Sequence, residues 1–306
     1  MLGGDVNRNS AARVAQKLEC RYAMISLVIP AHNEEAVIGR CLSALLDDAE
    51  PGELEVIVAC NGCSDRTAER ARAFGPPVQV IELAEASKTA ALNAADTCAT
   101  AFPRLYIDAD VVLPLAGVRK VAEALRQDGA LLASPVVKTH TGASSAAVRA
   151  FYDIWLRLPY NQVMVGTGVY ALSERGRARF GEFPPVISDD GFVRSRFTPD
   201  ERIAVPGAVV QVVAPRTLGD LIRVKTRSQL GIYQLARSND ISQRRRVTDK
   251  KHPMRILRSL PWRPSLPWKL LVYCTTNVVV RFRAHRRVRV GTAAHWDRDH
   301  AARDMI

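Results

Sequence analysis

Several signals are missing from this chain of 306 residues, and each absence narrows the reading. It has no apolar run of about 20 residues, the length that spans a bilayer, and no cleavable leader with an apolar core and a small-residue cleavage site. The expectation is a cytoplasmic protein. Cysteine is sparse and scattered, at positions 20, 41, 60, 63, 98 and 274, which excludes a disulfide scaffold. Cys60-Asn61-Gly62-Cys63 has redox or half-zinc spacing, but no second Cys/His pair follows at a suitable distance. It reads as a turn carrying two small thiols, with no metal. No internal repeat and no low-complexity linker is found. Acid is nearly absent from Arg244 to Arg289, where fourteen Lys or Arg residues face one acid, Asp249. That segment accounts for the whole formal net charge of +12, so the remainder is about neutral.

What is present is enough apolar residue, 47%, for a substantial core. Short apolar runs near 25–29, 54–59, 78–83, 104–107 and 131–135 alternate with helical patterns near 34–46, 64–74, 87–100 and 115–126. Continuous apolar strands alternating with helices predict an α/β fold, a Rossmann-like mostly parallel sheet flanked by helices. Later come a helix over 144–158, a strand at 168–172, a short helix at 189–196, strands over 202–213 and a helix over 218–237. Residues 1–24 read as a poorly ordered leader, 25–240 as the sheet domain and 241–306 as a basic, partly amphipathic helical C-terminal region. Within the last, Leu266 to Val280 is apolar but interrupted by Lys269, Thr275, Thr276 and Asn277. Trp262 and Trp268 flank it on one side and Arg281, Arg283, Arg286, Arg287 and Arg289 on the other. This pattern fits an interfacial helix on an anionic membrane surface. The alternative is a helix packed on the body with a solvated basic side.

The polar clusters fall where strands hand over to helices, and in parallel sheets ligands bind beyond the strands' carboxyl ends. The first strand ends in Pro30-Ala31-His32-Asn33-Glu34-Glu35, with Asn33 placed to cap a helix and Glu34 in its first turn. The second ends in Cys60-Asn61-Gly62-Cys63-Ser64-Asp65, where Gly62 admits φ > 0 and Ser64 is placed to cap. Lys88 opens an Ala-rich helix, a position that suits a diphosphate. The fourth strand stops at Asp108-Ala109-Asp110, two carboxylates one residue apart. A hard divalent cation needs no more from the protein, taking its other ligands from water and phosphate. Ser188-Asp189-Asp190-Gly191 reads as a capped helix start with two acids in its first turn.

In this order, Pro30 to Glu35, Asn61 to Asp65, Lys88 with Asn93, and Asp108-Ala109-Asp110 resemble the family 2 inverting glycosyltransferases of GT-A fold, over about residues 25–240. The resemblance implies transfer of a sugar from a UDP- or GDP-linked donor to a saccharide or lipid-linked acceptor, dependent on Mg²⁺ or Mn²⁺, in cell-surface glycan or glycolipid synthesis. It implies that Pro30, Ala31, His32, Glu34, Asn61, Lys88, Asp108 and Arg227 bind the nucleotide. Asp110 and Asp108 would hold the metal, and Gly166, Thr167 and Gly168 would lie under the acceptor. Of the acidic pair, Asp190 would be the general base, with Asp189 beside it. The base-pocket turn departs from the family's Asp-Asp-Gly with Cys60-Asn61-Gly62, which leaves the base open. Ser228 follows Arg227 where the family often has Trp, which speaks against a processive synthase. A sugar nucleotidyltransferase would want a glycine-rich loop after the first strand, and Pro30 to Glu35 contains no glycine. A catalytically silent membrane or nucleic-acid module is the remaining alternative. Interleaved aromatics favour the membrane, and no nucleic-acid partner is expected.

Overall fold

The computed structural model describes residues 24–127, 129–158, 168–237 and 264–290. The leader up to residue 23, Gly166, Thr167 and much of the basic C-terminal region lie outside these. One seven-stranded sheet runs in the order β3-β2-β1-β4-β6-β5-β7. Its strands are β1 Ile25–Ala31, β2 Leu54–Asn61, β3 Val78–Leu83, β4 Arg104–Ile107, β5 Leu132–His140, β6 Val169–Leu172 and β7 Arg202–Val213. The helices are α1 Ile38–Leu46, α2 Thr67–Arg72, α3 Lys88–Cys98, α4 Leu115–Gln127, α5 Ala146–Trp155, α6 Glu174–Arg177, α7 Asp189–Ser195, α8 Leu218–Arg237 and α9 Leu266–Val290.

Burial on both faces explains why the first strands read as unbroken apolar runs: every residue of β1 and of β4 is buried. Alternation then divides their side chains. Leu27, Ile29, Leu105 and Ile107 pack with Ile38 and Leu42 of α1 and Val118 and Val121 of α4. Val28, Ile57 and Tyr106 face the other way, onto Ala91, Leu92 and Ala95 of α3 and Phe192 of α7. Each fully buried Leu or Ile in such a layer stabilises by about 1.5–3 kcal/mol. Beneath the second layer, Asp96 of α3 receives Arg104 at 2.5 Å, Arg177 at 2.6 Å and the Tyr106 hydroxyl at 2.8 Å, so a buried carboxylate is fully engaged. A third cluster joins Val148, Phe151 and Tyr152 of α5, Leu221 of α8 and Val272 of α9.

β6 is antiparallel to both β4 and β5. It reverses the chain in mid-sheet and brings Gly168 back beside the end of β4. β5 extends beyond its expected run, and its pairing with β7 shifts between Pro135 and Val136, so that Pro206, Gly207 and Ala208 bulge out. α1 begins at Ile38 rather than near 34, because Asn33 takes a left-handed φ of 50° that ends the strand without starting a helix. Asn33 therefore does not cap. Ser64 does not cap either: it stands two residues before Arg66, the N-cap of α2, and the Asp65 carboxylate accepts the Thr67 N–H there.

Candidate active site

The sheet brings Asp108, at the end of β4, and Asp189, at the start of α7, onto a single ammonium. Lys88 Nζ lies 2.7 Å from Asp108 Oδ1 and 2.9 Å from Asp189 Oδ1. Lys88 is the first residue of α3, and Ser87 caps that helix by accepting the Ala90 N–H. Instead of standing free for a diphosphate, its charge is shared by the two acids. Burial alone would lower the Lys88 pKa, but Asp108 and Asp189 outweigh it and hold the amine protonated. Asp189 is 4% exposed and also accepts the Tyr170 hydroxyl at 3.2 Å. Burial, reinforced by the Asp189 charge, raises the Tyr170 pKa well above its ordinary value. Tyr170 in turn stacks on Tyr106, with centroids 4.9 Å apart and planes at 19°.

Asp190, the next residue, is half-buried. Its Oδ1 accepts from the Ser188 hydroxyl and the Gly191 N–H, each at 2.7 Å. These bonds fix the carboxylate at the helix N-terminus, beside Asp189. Asp110 is exposed at the mouth of β4, two residues from Asp108. Desolvation in the crevice and the negative charges of Asp189 and Asp110 hold the Asp108 pKa above the usual carboxylate range, against the pull of Lys88. Two carboxylates on one lysine, with Asp110 acting on Asp108 as a further negative charge, leave excess negative charge built from hard oxygens. Such a donor set suits Mg²⁺ or Mn²⁺. Among the described residues no three His, Cys, Asp or Glu gather as a metal cage, so Asp108 and Asp110 would leave most coordination positions to water and phosphate.

Gly168 precedes β6 with φ +62°, and its N-terminal neighbours Gly166 and Thr167 lie outside the described residues. A Cβ there would sit 2.6 Å from Val111 Cγ2 and 3.2 Å from Asp108 Oδ2. Only glycine brings the backbone so close to that carboxylate.

On the other flank the ends of β1 and β2 are stitched together. The Asn61 amide donates to the Ala31 carbonyl at 2.9 Å, and His32 Nδ1 lies 2.5 Å from the Asn61 carbonyl oxygen, which makes that nitrogen the donor. Asn33 Oδ1 accepts the Ser64 N–H at 2.6 Å, and Thr67 Oγ1 accepts the N–H of the buried Glu34 at 2.6 Å. Pro30, Ala31 and Asn61 are buried, so they shape the turn while His32 stays half-open. A cleft of about 350 Å³ opens next to this turn, lined by Cys60, Gly62, Cys63, Glu82, Leu83 and Ala84. Arg227 lies on α8, four residues before Gly231, whose Cα packs on Ser188.

Sequence reasoning missed Tyr170, Tyr106 and Glu82. The first two lie inside apolar strands and look like core, and Glu82 looks like a solvated strand end. Only the fold sets them against Asp189, Asp96 and the cleft.

A mixed α/β sheet whose strand ends gather an Asp-x-Asp pair, a bridging lysine and a second acidic pair on a helix start defines the GT-A class. Residues 26–175, about half of the chain, match the family model described as Glycosyl transferase family 2. Among curated relatives, 4,4'-diaponeurosporenoate glycosyltransferase of Staphylococcus aureus (strain MRSA252) is 28% identical over 182 residues, covering 56% of this chain and 45% of the relative. The chain thus spans less than half the length of that relative. Among solved structures, the mannosyltransferase PcManGT of Pyrobaculum calidifontis, in complex with GDP-Man and Mn²⁺, superposes with TM-score 0.59 at 21% identity, covering 88% of this chain and 79% of that one. Glucosyl-3-phosphoglycerate synthase of Mycobacterium tuberculosis, in complex with UDP, gives 0.53 at 20% identity over 74% and 80%. At these identities the likeness is one of fold.

Proposed function

We propose that this chain transfers a glycosyl group from a UDP- or GDP-linked sugar to the hydroxyl of a saccharide or lipid-linked acceptor, with inversion at the anomeric carbon. The observation that carries this reading is the Lys88 bridge, which ties Asp108 at the Asp-x-Asp end of β4 to Asp189 at the start of α7, the helix start that also carries Asp190. In a single displacement the acceptor oxygen bonds to the anomeric carbon as the bond from that carbon to the diphosphate oxygen breaks. Asp190, anchored by Ser188 and the Gly191 N–H, takes the acceptor proton. Asp189, held by Lys88 and Tyr170, positions the helix that carries the base. Asp110 and Asp108 would hold Mg²⁺ or Mn²⁺, which when bound supplies electrostatic compensation for the charge building on the departing diphosphate. The turn at His32 and Asn61 with its adjoining cleft receives the base, Arg227 lies on the diphosphate side, and the acceptor approaches over Gly168.

The acceptor side faces an anionic membrane in the cytoplasm. No described helix is long and apolar enough to cross a membrane. Support for surface attachment comes from α9, which exposes Trp268, Leu271, Val278 and Phe282 among arginines.

A melting-temperature screen with UDP and GDP, each with Mn²⁺ or Mg²⁺, tests the donor reading. One base with metal should raise the melting temperature, whereas no shift with any combination rejects it. Asp190→Asn should then keep the nucleotide-dependent shift and lose roughly 10²–10⁴-fold in kcat, the range for a general base.

A further inference from the structure

Lys225, on α8, holds its ammonium against aromatic faces alone. Its Nζ lies 3.8 Å from the Trp155 ring centroid, 5.5 Å from Tyr152 and 5.8 Å from Phe151, all on α5. Neighbouring cations are matched to acids: Lys269 to Asp153 at 2.5 Å, and Arg223 to Asp220. Among the described residues no carboxylate pairs with Lys225. Ring quadrupoles attract a cation but restore only part of the hydration it has lost. Burial accordingly pushes the Lys225 pKa down to about 8. The cage is thus short of one negative charge.

Its place in the fold connects it to the reaction. A Cβ on Gly231 would lie 2.7 Å from Ser188 Cβ, and Gln234 Oε1 accepts the Ile187 N–H at 2.9 Å, so this part of α8 buttresses the helix start bearing Asp189 and Asp190. Lys225 lies six residues earlier, about 9 Å along the axis at 1.5 Å per residue. Phe151 and Tyr152 are buried while Trp155 and Lys225 itself are half-buried, so the cage reaches the surface through those two side chains.

We propose that Lys225, framed by Trp155 and Tyr152, recognises an anionic group of the acceptor, a phosphate or carboxylate, whose flat or apolar neighbouring part lies on the rings. The proposal rests on the glycosyl-transfer reading of the adjoining crevice and names the acceptor's chemical class. The competing account is a lysine stem that merely covers the aromatic rings.

The test uses the full chain with UDP or GDP and Mn²⁺ present throughout. The probes are glycerol 3-phosphate against glycerol, and phosphatidylcholine vesicles with and without phosphatidic acid. Acetylation of Lys225 by a water-soluble succinimidyl ester, followed by peptide mapping, should slow severalfold with glycerol 3-phosphate if the anion is a soluble metabolite. It should slow with phosphatidic acid vesicles if the anion is a lipid headgroup. By titration calorimetry with whichever probe protects, Lys225→Met should weaken affinity about tenfold, the loss expected of one charge-assisted bond, and Lys225→Arg should largely keep it. Protection by neither anion, equal protection by glycerol or by pure phosphatidylcholine, or unchanged affinity in Lys225→Met overturns the proposal. The nucleotide-dependent melting shift, read in the same samples, reports separately on the donor site.

Discussion

Lys88 carries one positive charge between Asp108 and Asp189 with only 20% of its side chain exposed, so its removal leaves two carboxylates facing each other in a desolvated crevice. Breaking such a buried arrangement costs about 3–5 kcal/mol, far more than an exposed pair is worth. Asp110 stands at the opposite extreme, exposed at the crevice mouth. Lys88→Met should therefore lower unfolding free energy by about 3 kcal/mol in urea melts at neutral pH, whereas Asp110→Asn should stay within about 0.5 kcal/mol of the parent. The same Asp110→Asn protein should lose metal-dependent turnover and the metal-dependent part of its nucleotide melting shift. Turnover that survives the change would remove Asp110 from the metal site. These contrasts show what the sequence could and could not disclose at this scale. That Asp108 and Asp110 follow the fourth strand and that Asp190 opens a serine-capped helix was legible, because an apolar run and a capping serine mark those ends locally. That Lys88 answers to two carboxylates was not, since its partners come from positions 108 and 189. Asn33 misled for a related reason: a cap and a left-handed turn residue share the same short polar side chain, and only the backbone angle separates them.

At the level of elements, the alternation of strands and helices was readable from apolar runs and their punctuation, and the first four strands fall where those runs predict. Strand direction was not. Val169 to Leu172 is a buried tetrad whose composition is indifferent to whether its neighbours run with it or against it. Nor was the bulge at Pro206 to Ala208, which depends on pairing across to β5. The entry to β7 shows how local chemistry secures such a strand. Thr198 and Glu201 form a reciprocal capping box on the 3₁₀ turn Pro199–Glu201, and Glu201 also accepts Arg179 at 2.6 Å. The Thr198 N–H, then Arg179, bring the Glu201 pKa from 4.5 down to about 2. A carboxylate with a depressed folded pKa contributes stability that is present above pH 4.5 and lost as the pH falls through about 2. Glu201→Gln should thus cost about 1 kcal/mol at pH 7, in the range of a lost cap, and the gap between variant and parent should close between pH 4.5 and about 2. A gap that stays constant with pH in thermal melts would mean that the charge on Glu201 plays no part.

For the whole molecule, α9 bears on how the sheet domain meets its surroundings. Val272, Thr276, Val280 and Ala284, spaced by four, bury one face of this helix against α5 and α8. The packed-helix alternative is thus realised, and the helix still presents an exposed apolar face. Trp268 at 55% exposure, Leu271 at 56%, Val278 at 67% and Phe282 at 67% form that outer stripe, spaced by three and four about Thr275, with Arg281, Arg283, Arg286 and Arg287 exposed alongside. An apolar face bordered by cations gains both from burial in the headgroup region and from attraction to anionic lipid, about 1 kcal/mol per basic side chain near the surface. Trp268→Ser with Phe282→Ser should leave the melting temperature unchanged, because neither side chain packs in the core, yet reduce sedimentation with phosphatidylserine-containing vesicles by tenfold or more. Arg281→Glu with Arg283→Glu should weaken the same binding, and raised salt should weaken the parent protein's binding while leaving the arginine variant little further to lose. If vesicle binding is absent in the parent, while the stripe variant converts a dimer to a monomer in sedimentation analysis, the face belongs to a second copy of the chain. The crevice at Asp108 and Asp189 would then have to meet the proposed lipid-linked acceptor without help from α9.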